Sequence, residues 1–276
     1  MKQLWHILTT DMTEVWSYRH LLRMLVIRDL KTRYKNSAFG IAWSFLQPLG
    51  MMIVLTFAFS VINKGPSSLP HYNVFVLAGY LAWTFFSNAV VGGTGSILAN
   101  GALVKKVYFP RLLLPISVVI SNLVNYLLAL PMFLVVALVS GHPLTLALAF
   151  LPVAITIQVI FSLGLSFILS TLNVFYRDTQ FILDLSMLAL FFLTPIWYDI
   201  STAQPIHALG QTIDMAVWLR RLNPMASLVN IYQDLMYKGT ITSPDFWVRT
   251  LVTAIGVLVI GYIIFHHYSP RFGEEI

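Results

Sequence analysis

The chain has 276 residues, of which 58% are hydrophobic and only 10% charged, with a net charge of +6 and no cysteine. Soluble domains carry nearer a quarter charged residues, so these proportions exclude an ordinary soluble fold. The absence of thiols excludes disulfides and thiolate metal sites.

Residues 1–40 read as an interface segment ahead of the first span. Met1 to His6 lacks the continuous apolar stretch of a signal peptide, so the first span is expected to act as the insertion signal. From Ser17 to Asn36 the pattern predicts a helix lying on a membrane surface. Tyr18, Leu21, Leu22 and Leu25 share one face, and Arg28, Lys31 and Lys35 another, while Asp29 and Arg33 fall near the apolar face.

Six apolar runs follow, at 43–62, 73–92, 112–139, 144–172, 181–198 and 249–268. About 20 residues at 1.5 Å rise cross the roughly 30 Å hydrocarbon core of a bilayer, and each run reaches or nearly reaches that length. Backbone groups in lipid must pair internally, so the runs are expected to be helices. The fold expected is an all-α integral membrane protein with six transmembrane helices in a single domain, 1–276. Span one contains Gln47-Pro48, and a short turn, Asn63 to Ser68, precedes span two. Pro115 and Pro131 are expected to break span three. Span four carries Gln158, Gly164 and Ser166. Span five carries Asp184, near enough to its end for either an interfacial pairing role or a transport role.

The segment 199–248 is too apolar for a plain loop. Met215 to Leu219 and Met225 to Tyr237 predict two short amphipathic helices that lie on, or dip into, the outer leaflet. Asn223 suits an N-cap, Pro224 the first helical position and Gly239 a helix stop. These short re-entrant helices between spans five and six are expected to form an outer gate, with Leu228, Ile231 and Leu235 packing on the ends of spans one and five.

Twelve of the 17 Lys and Arg residues fall before span one, in the 2–3 and 4–5 loops, or after span six. The positive-inside rule then places both termini in the cytoplasm. Topology accounts for the high pI without a nucleic-acid partner. No P-loop, nucleophile elbow, H-E-x-x-H or dinucleotide fingerprint occurs. His266-His267 lacks further ligand-type neighbours, so no metal site is expected. The spans also lack the several ionisable groups usual for ion coupling. The chain is expected to be a transport subunit, not an enzyme, with its energy supplied by another chain.

The stretch Arg28 to Ser37, followed by Gly40, Trp43 and Pro48, resembles the entry segment of ABC-transporter permeases of the polysaccharide-export type, the O-antigen, capsule and teichoic-acid exporters. Leu103 to Arg111 with Leu114-Pro115 is similar to their loop between spans two and three. Asn173 to Asp178 is similar to their 4–5 loop, and Asn223-Pro224 to their outer re-entrant region. The resemblance implies a homodimer in the bacterial cytoplasmic membrane, joined by two copies of a cytoplasmic ATPase that holds ATP and magnesium. It implies no cofactor in this chain. The implied cargo is a glycan on undecaprenyl diphosphate.

In that frame Lys105, Lys106, Tyr108, Phe109, Pro110 and Arg111 are the candidate ATPase-coupling residues. Their mix of aromatics and arginine suits a docking surface, and equally an interface anchor whose lysines set topology. Arg28, Lys31, Arg33 and Lys35 are candidates for the substrate entrance, by charge-assisted hydrogen bonds to a lipid diphosphate or by attraction to anionic headgroups. Trp43, Phe45, Phe57, Phe59, Phe191 and Phe192 are candidates to line a conduit, since rings meet sugar C–H faces without a fixed charged site. An ABC permease for a drug or small lipid shares this layout. A membrane enzyme acting on lipid-linked sugars would need convergent acids, and Asp178 and Asp184 have no evident partner. A membrane scaffold is the third class.

Overall fold

The computed structural model describes residues 13–62, 69–200 and 223–276, together with 206–208, 211–213, 217, 220 and 221. The turn expected at Asn63 to Ser68 and most of the stretch Met215 to Leu219 lie outside the described residues. Helix α1 (Arg19–Tyr34) rests against the bundle. Leu25 is buried, and Tyr18, Leu21 and Leu22 join a cluster with Ile97, Val104 and Phe109. The apolar face read from the sequence therefore meets protein. A 3-10 turn, Gly40–Ala42, leads into α2 (Trp43–Ile62). Gly40 sits at φ +52°, a conformation that costs glycine little.

Helix α3 (Tyr72–Ala99) is the central post. It packs on α2, on α5 (Leu113–Val139), on α6 (Leu151–Phe175) and on α7 (Asp178–Leu193). The short α4 (Gly101–Lys106) links α3 toward α5. Neither proline breaks α5, contrary to expectation. Pro115 falls in the first turn, where backbone N–H groups have no helical partner anyway. Pro131 is accommodated inside the helix, as bundle neighbours permit in membrane helices.

Helix α9 (Pro244–Tyr268) packs mainly on α6, and α10 (Phe272–Glu275) folds back on α4. Small residues set the α6–α9 approach. A Cβ on Gly164 would strike the backbone of Leu258, and one on Gly261 would strike the carbonyl of Gly164. Buried amides then tie α6 to α3: the Gln158 side-chain amide donates to the Ala82 carbonyl at 2.7 Å, and that of Asn173 to Thr94 at 3.1 Å. Close small-residue contact and interhelical hydrogen bonds are the usual means of holding helices together where lipid removes the hydrophobic drive.

Among the described residues, five helical stretches are long and apolar enough to cross a membrane: Gly40–Phe59, Tyr72–Ala99, Leu113–Val139, Leu146–Phe175 and Pro244–Glu275. The expected fifth span falls short of its sequence boundaries. Helix α7 has 16 residues, about 24 Å at 1.5 Å each. It ends because Thr194 precedes Pro195 and is driven extended, at φ −94° and ψ 134°.

The 199–248 segment also departs from expectation. Ile206–Ala208 and Gln211–Ile213 form a two-stranded antiparallel ladder, with Ile206 opposite Ile213. Val217, Arg220 and Arg221 are helical. Helix α8 (Pro224–Gln233) is not half exposed as an amphipathic surface helix would be: Met225 to Gln233 are all buried. A π turn, Asp234–Lys238, extends it to Gly239 at φ +67°.

Candidate transport pathway and docking surface

The bundle has two ends, one carrying α4 and the other α8. Between α1, α2, α3 and α5, toward the α4 end, lies a polar chamber of about 260 Å³. Its polar lining is amide and hydroxyl: Gln47, Asn88, Asn122, Asn125, Tyr34 and Thr84, with Arg33 as the only charged residue. Trp43, Phe85 and Tyr126 supply ring faces. Tyr34 is the knot. Its hydroxyl donates to Asn125 Oδ1 at 2.6 Å and meets the Ser44 hydroxyl, joining α1, α2 and α5. Arg33 donates to Asn122 Oδ1 at 2.8 Å, and Asn122 Nδ2 donates back along α5 to the Val118 carbonyl at 2.9 Å. The buried Nδ2 of Asn125 has no hydrogen-bond partner. Pro48 lines the same space. Having no N–H, it leaves the Ser44 carbonyl of α2 without its helical donor there. The chamber therefore offers spare donors and acceptors beside apolar rings, which suits a neutral polyhydroxylated ligand.

The four basic entrance residues separate. Arg33 turns into the chamber. Arg28 pairs with Asp29 at 3.0 Å and donates to Asn100 at 2.9 Å. Arg28 nevertheless shares an open groove on α1 with Lys31 and Lys35, beside Met24 and Ile27, so only Arg33 leaves the group.

The six aromatic candidates also separate. Trp43 borders the chamber and meets Phe39 edge-on at 5.7 Å. Phe45 is half-buried. Phe57 is 71% exposed on the outer flank of α2. Phe59 stacks on Trp197 at 5.4 Å, and Phe191 and Phe192 lie 4.9 and 5.4 Å from the same ring. Phe191 also meets Trp83 at 5.7 Å. These three, with Trp83 and Trp197, form one aromatic cluster among α2, α3 and the exit of α7.

At the α4 end, residues 104–112 line a groove of about 580 Å³ with Phe265, His266 and Ser269. Lys105, Lys106 and Val107 are exposed, and Tyr108 is 87% exposed. Phe109 instead is 5% exposed, packed into the helical core, with Pro110 half-buried behind it. Arg111 lies over the Phe272 ring at 6.0 Å, and burial pulls its pKa below the ordinary value. Helix α10 thereby braces the groove from behind.

At the α8 end, Asn223 caps its helix. Its Oδ1 accepts from the N–H groups of Met225 and Ala226 at 3.0 and 3.3 Å, and its Nδ2 donates to Thr194 at 3.0 Å. Pro224 follows at the first helical position. Leu228, Ile231 and Leu235 are buried. Their helix packs chiefly on α3, α6 and α9, not on the ends of α2 and α7 as expected. The exit of α7 is reached through Asn223 and through Gln233, which donates to the Pro195 carbonyl at 2.8 Å. An entirely buried helix needs partners on every side, and the central post and its neighbours supply them.

Sequence reasoning missed the amide chamber. Its signal was present: Asn122 and Asn125 stand three apart in a largely apolar run, hence on one helix face. Among the described residues no cluster of three metal-ligating side chains occurs.

Five long apolar helices among the described residues, with a polar interior chamber and a braced groove at one end, define a multi-pass membrane protein. The chain belongs to the ABC-2 type transporter family, which it matches over residues 20–237. It is 35% identical to the O-antigen export system permease protein RfbA of Myxococcus xanthus, over 95% of this chain and 98% of the relative. It is 31% identical to the protein of the same name from Klebsiella pneumoniae, over 92% and 94%. The polysialic acid transport protein KpsM of Escherichia coli is 23% identical over 79% and 81%.

Proposed function

We propose that this chain is the permease subunit of an ATP-driven exporter that carries a lipid-linked polysaccharide across the bacterial cytoplasmic membrane. The observation that carries the reading is the match along nearly the whole chain to two O-antigen export permeases. The amide-rich chamber, with Arg33 its one charged lining residue, supports it, because sugar hydroxyls need many donors and acceptors and few fixed charges. A drug or small lipid would be better served by a dry apolar pocket.

In this reading α7 completes six spans, its shortness met by local bilayer thinning. The charge bias sets both termini and the α4 groove in the cytoplasm. Two copies of the chain enclose the conduit, and two copies of a separate ATPase dock on the α4 groove through Lys105, Lys106 and Tyr108. The cargo is a glycan on undecaprenyl diphosphate, its anionic head met first by Arg28, Lys31, Arg33 and Lys35. Helix α8, capped by Asn223 and Pro224 and packed through Leu228 and Ile231, closes the outer end.

Deleting the gene in its host tests the reading. Surface glycan should disappear while lipid-linked glycan accumulates inside, and the chain supplied in trans should reverse both. Unchanged surface glycan in the deletion would refute it.

A further inference from the structure

At the α8 end, three arginines converge on one crevice. Arg220 and Arg221 precede α8, and Arg249 lies early in α9. With Ser227, Thr250 and Thr253 they enclose about 90 Å³. Phe246 is a shared floor. The guanidinium carbon of Arg249 lies 4.9 Å from its ring centroid and that of Arg220 6.0 Å. Stacking on one ring holds both heads in place. The Ser227 hydroxyl donates to the Arg220 carbonyl at 2.9 Å, and Arg249 reaches the Ser227 oxygen at 3.4 Å.

No described residue neutralises the group. Among the described residues, no carboxylate lies within 4.0 Å of any of the three cations, since the ion pairs involve Arg28 and Lys238 alone. Lys238, at the same end, is the contrast, held by Asp234 at 3.3 Å and Asp199 at 3.6 Å. The Nε of Arg220 is buried without a hydrogen-bond partner. Three like charges around one crevice repel, and an anion would relieve them. Guanidinium forks match phosphate oxygens two at a time. The crevice also borders exposed apolar surface. Val248 and Val252, on the same helix as Arg249, are 58% and 62% exposed. A phosphate whose tail lies along an apolar wall fits this place better than a free ion does.

We infer that Arg220, Arg221 and Arg249 form a binding site for the phosphate or diphosphate headgroup of a membrane lipid in the leaflet at the α8 end. Calling that leaflet the outer one rests on the topology proposed above. Arg220 and Arg221 immediately precede the Asn223 cap, so an occupied site would also hold the start of α8.

The test uses the full-length permease in phosphatidylcholine nanodiscs. The probes are phosphatidylglycerol and farnesyl diphosphate, with further phosphatidylcholine as the control, and retention is read by native mass spectrometry. Replacing all three arginines by Gln should weaken retention of a phosphate lipid by about tenfold or more, as lost charge-assisted hydrogen bonds predict. Replacing all three by Lys keeps the charge but loses the forks, and should give an intermediate loss. Preference for farnesyl diphosphate identifies a diphosphate carrier as the ligand. Equal retention of the two probes identifies any phosphate lipid. Wild-type retention of both in the folded Gln variant overturns the site.

A second arm separates the inference from the topology. The chain has no cysteine, so a single Cys at Arg221 reports sidedness to a membrane-impermeant maleimide. Labelling from outside with unchanged lipid retention overturns the site alone. Labelling only from inside overturns the topology and with it the outer-leaflet assignment.

Discussion

Replacing Tyr34 by Phe removes one oxygen and keeps the ring. That oxygen joins three helices, through Asn125 of α5 at 2.6 Å and through Ser44 of α2. Without it the Asn125 side-chain oxygen loses its donor, and its Nδ2 is already without a partner. Orphaning a buried polar group costs roughly 1–3 kcal/mol. A central figure of about 2 kcal/mol is a factor of about thirty in an opening equilibrium. Opening here means lifting the end of α1 off α5, and hydrogen exchange reads such local equilibria. Amides 28–34 of the Tyr34→Phe variant should exchange about thirtyfold faster, from the same estimate. Those of α3 should keep wild-type protection. Ser44→Ala should have a smaller effect, because the Tyr34–Asn125 bond survives it. Wild-type exchange at 28–34 in Tyr34→Phe would refute the view that this hydroxyl latches the chamber.

Tyr108 and Phe109 should behave differently. Tyr108→Ala should leave thermal stability unchanged but weaken co-purification with the ATPase, whereas Phe109→Ala should lower stability by about 3–5 kcal/mol as a core truncation. The reverse pattern would reassign the groove. Gly164→Ala and Gly261→Ala each drive a Cβ into backbone, which cannot yield as a flexible side chain would. Each should cost about 1–3 kcal/mol in an unfolding assay, and together less than their sum, because one helix separation relieves both. His142, in the loop after α5, stacks on Tyr237 at 5.2 Å and meets His71 at 5.6 Å. Burial, then the nearby His71, lower its pKa below the ordinary value. A histidine held neutral when folded contributes its stability above the unfolded value of about 6.5, and that stability is lost as the pH falls through it. Melting temperature should therefore drop on acidification below that value, and His142→Gln should flatten the drop.

The membrane helices were legible because their signal is length and apolarity, which depend little on neighbours. The charged and capping residues were legible as types: Asn223 and Pro224 begin a helix where their chemistry requires. What the sequence could not place was direction. Lys31 and Arg33 are two apart, on differing faces of one helix, and only packing shows that Arg33 enters the chamber while Lys31 faces the open groove. Tyr108 and Phe109 are adjacent and both border the groove, and only packing shows that Phe109 is anchored in the core while Tyr108 stands exposed. Burial of α8 was hidden because a surface helix and a buried one can share the same spacing of Leu228, Ile231 and Leu235. The aromatic candidates were chosen one span at a time, and Phe57 and Phe59, two apart on α2, consequently fell on different sides.

The chamber poses a problem of moderation. A moving polymer needs contacts strong enough to admit it and weak enough to release it. In the proposed reading, amides and hydroxyls provide such contacts to successive sugars. Arg33 is the exception, and Asn122 holds it in check: a neutral acceptor at 2.8 Å satisfies the guanidinium yet can be exchanged for phosphate. Asn122→Asp keeps the shape and turns that acceptor into a carboxylate. Arg33 would then be held in an ion pair and withheld from an incoming lipid diphosphate. Fewer chains should begin export, while those that begin should reach wild-type length, because the sugars still meet the same hydroxyls and amides. Asn122→Ala frees Arg33 and should preserve initiation. Surface polymer resolved by length, with total amount measured separately, reads the two quantities. Shortened polymers at undiminished chain number in Asn122→Asp would show that Asn122 grips passing sugars and does not govern the entry of the charged head.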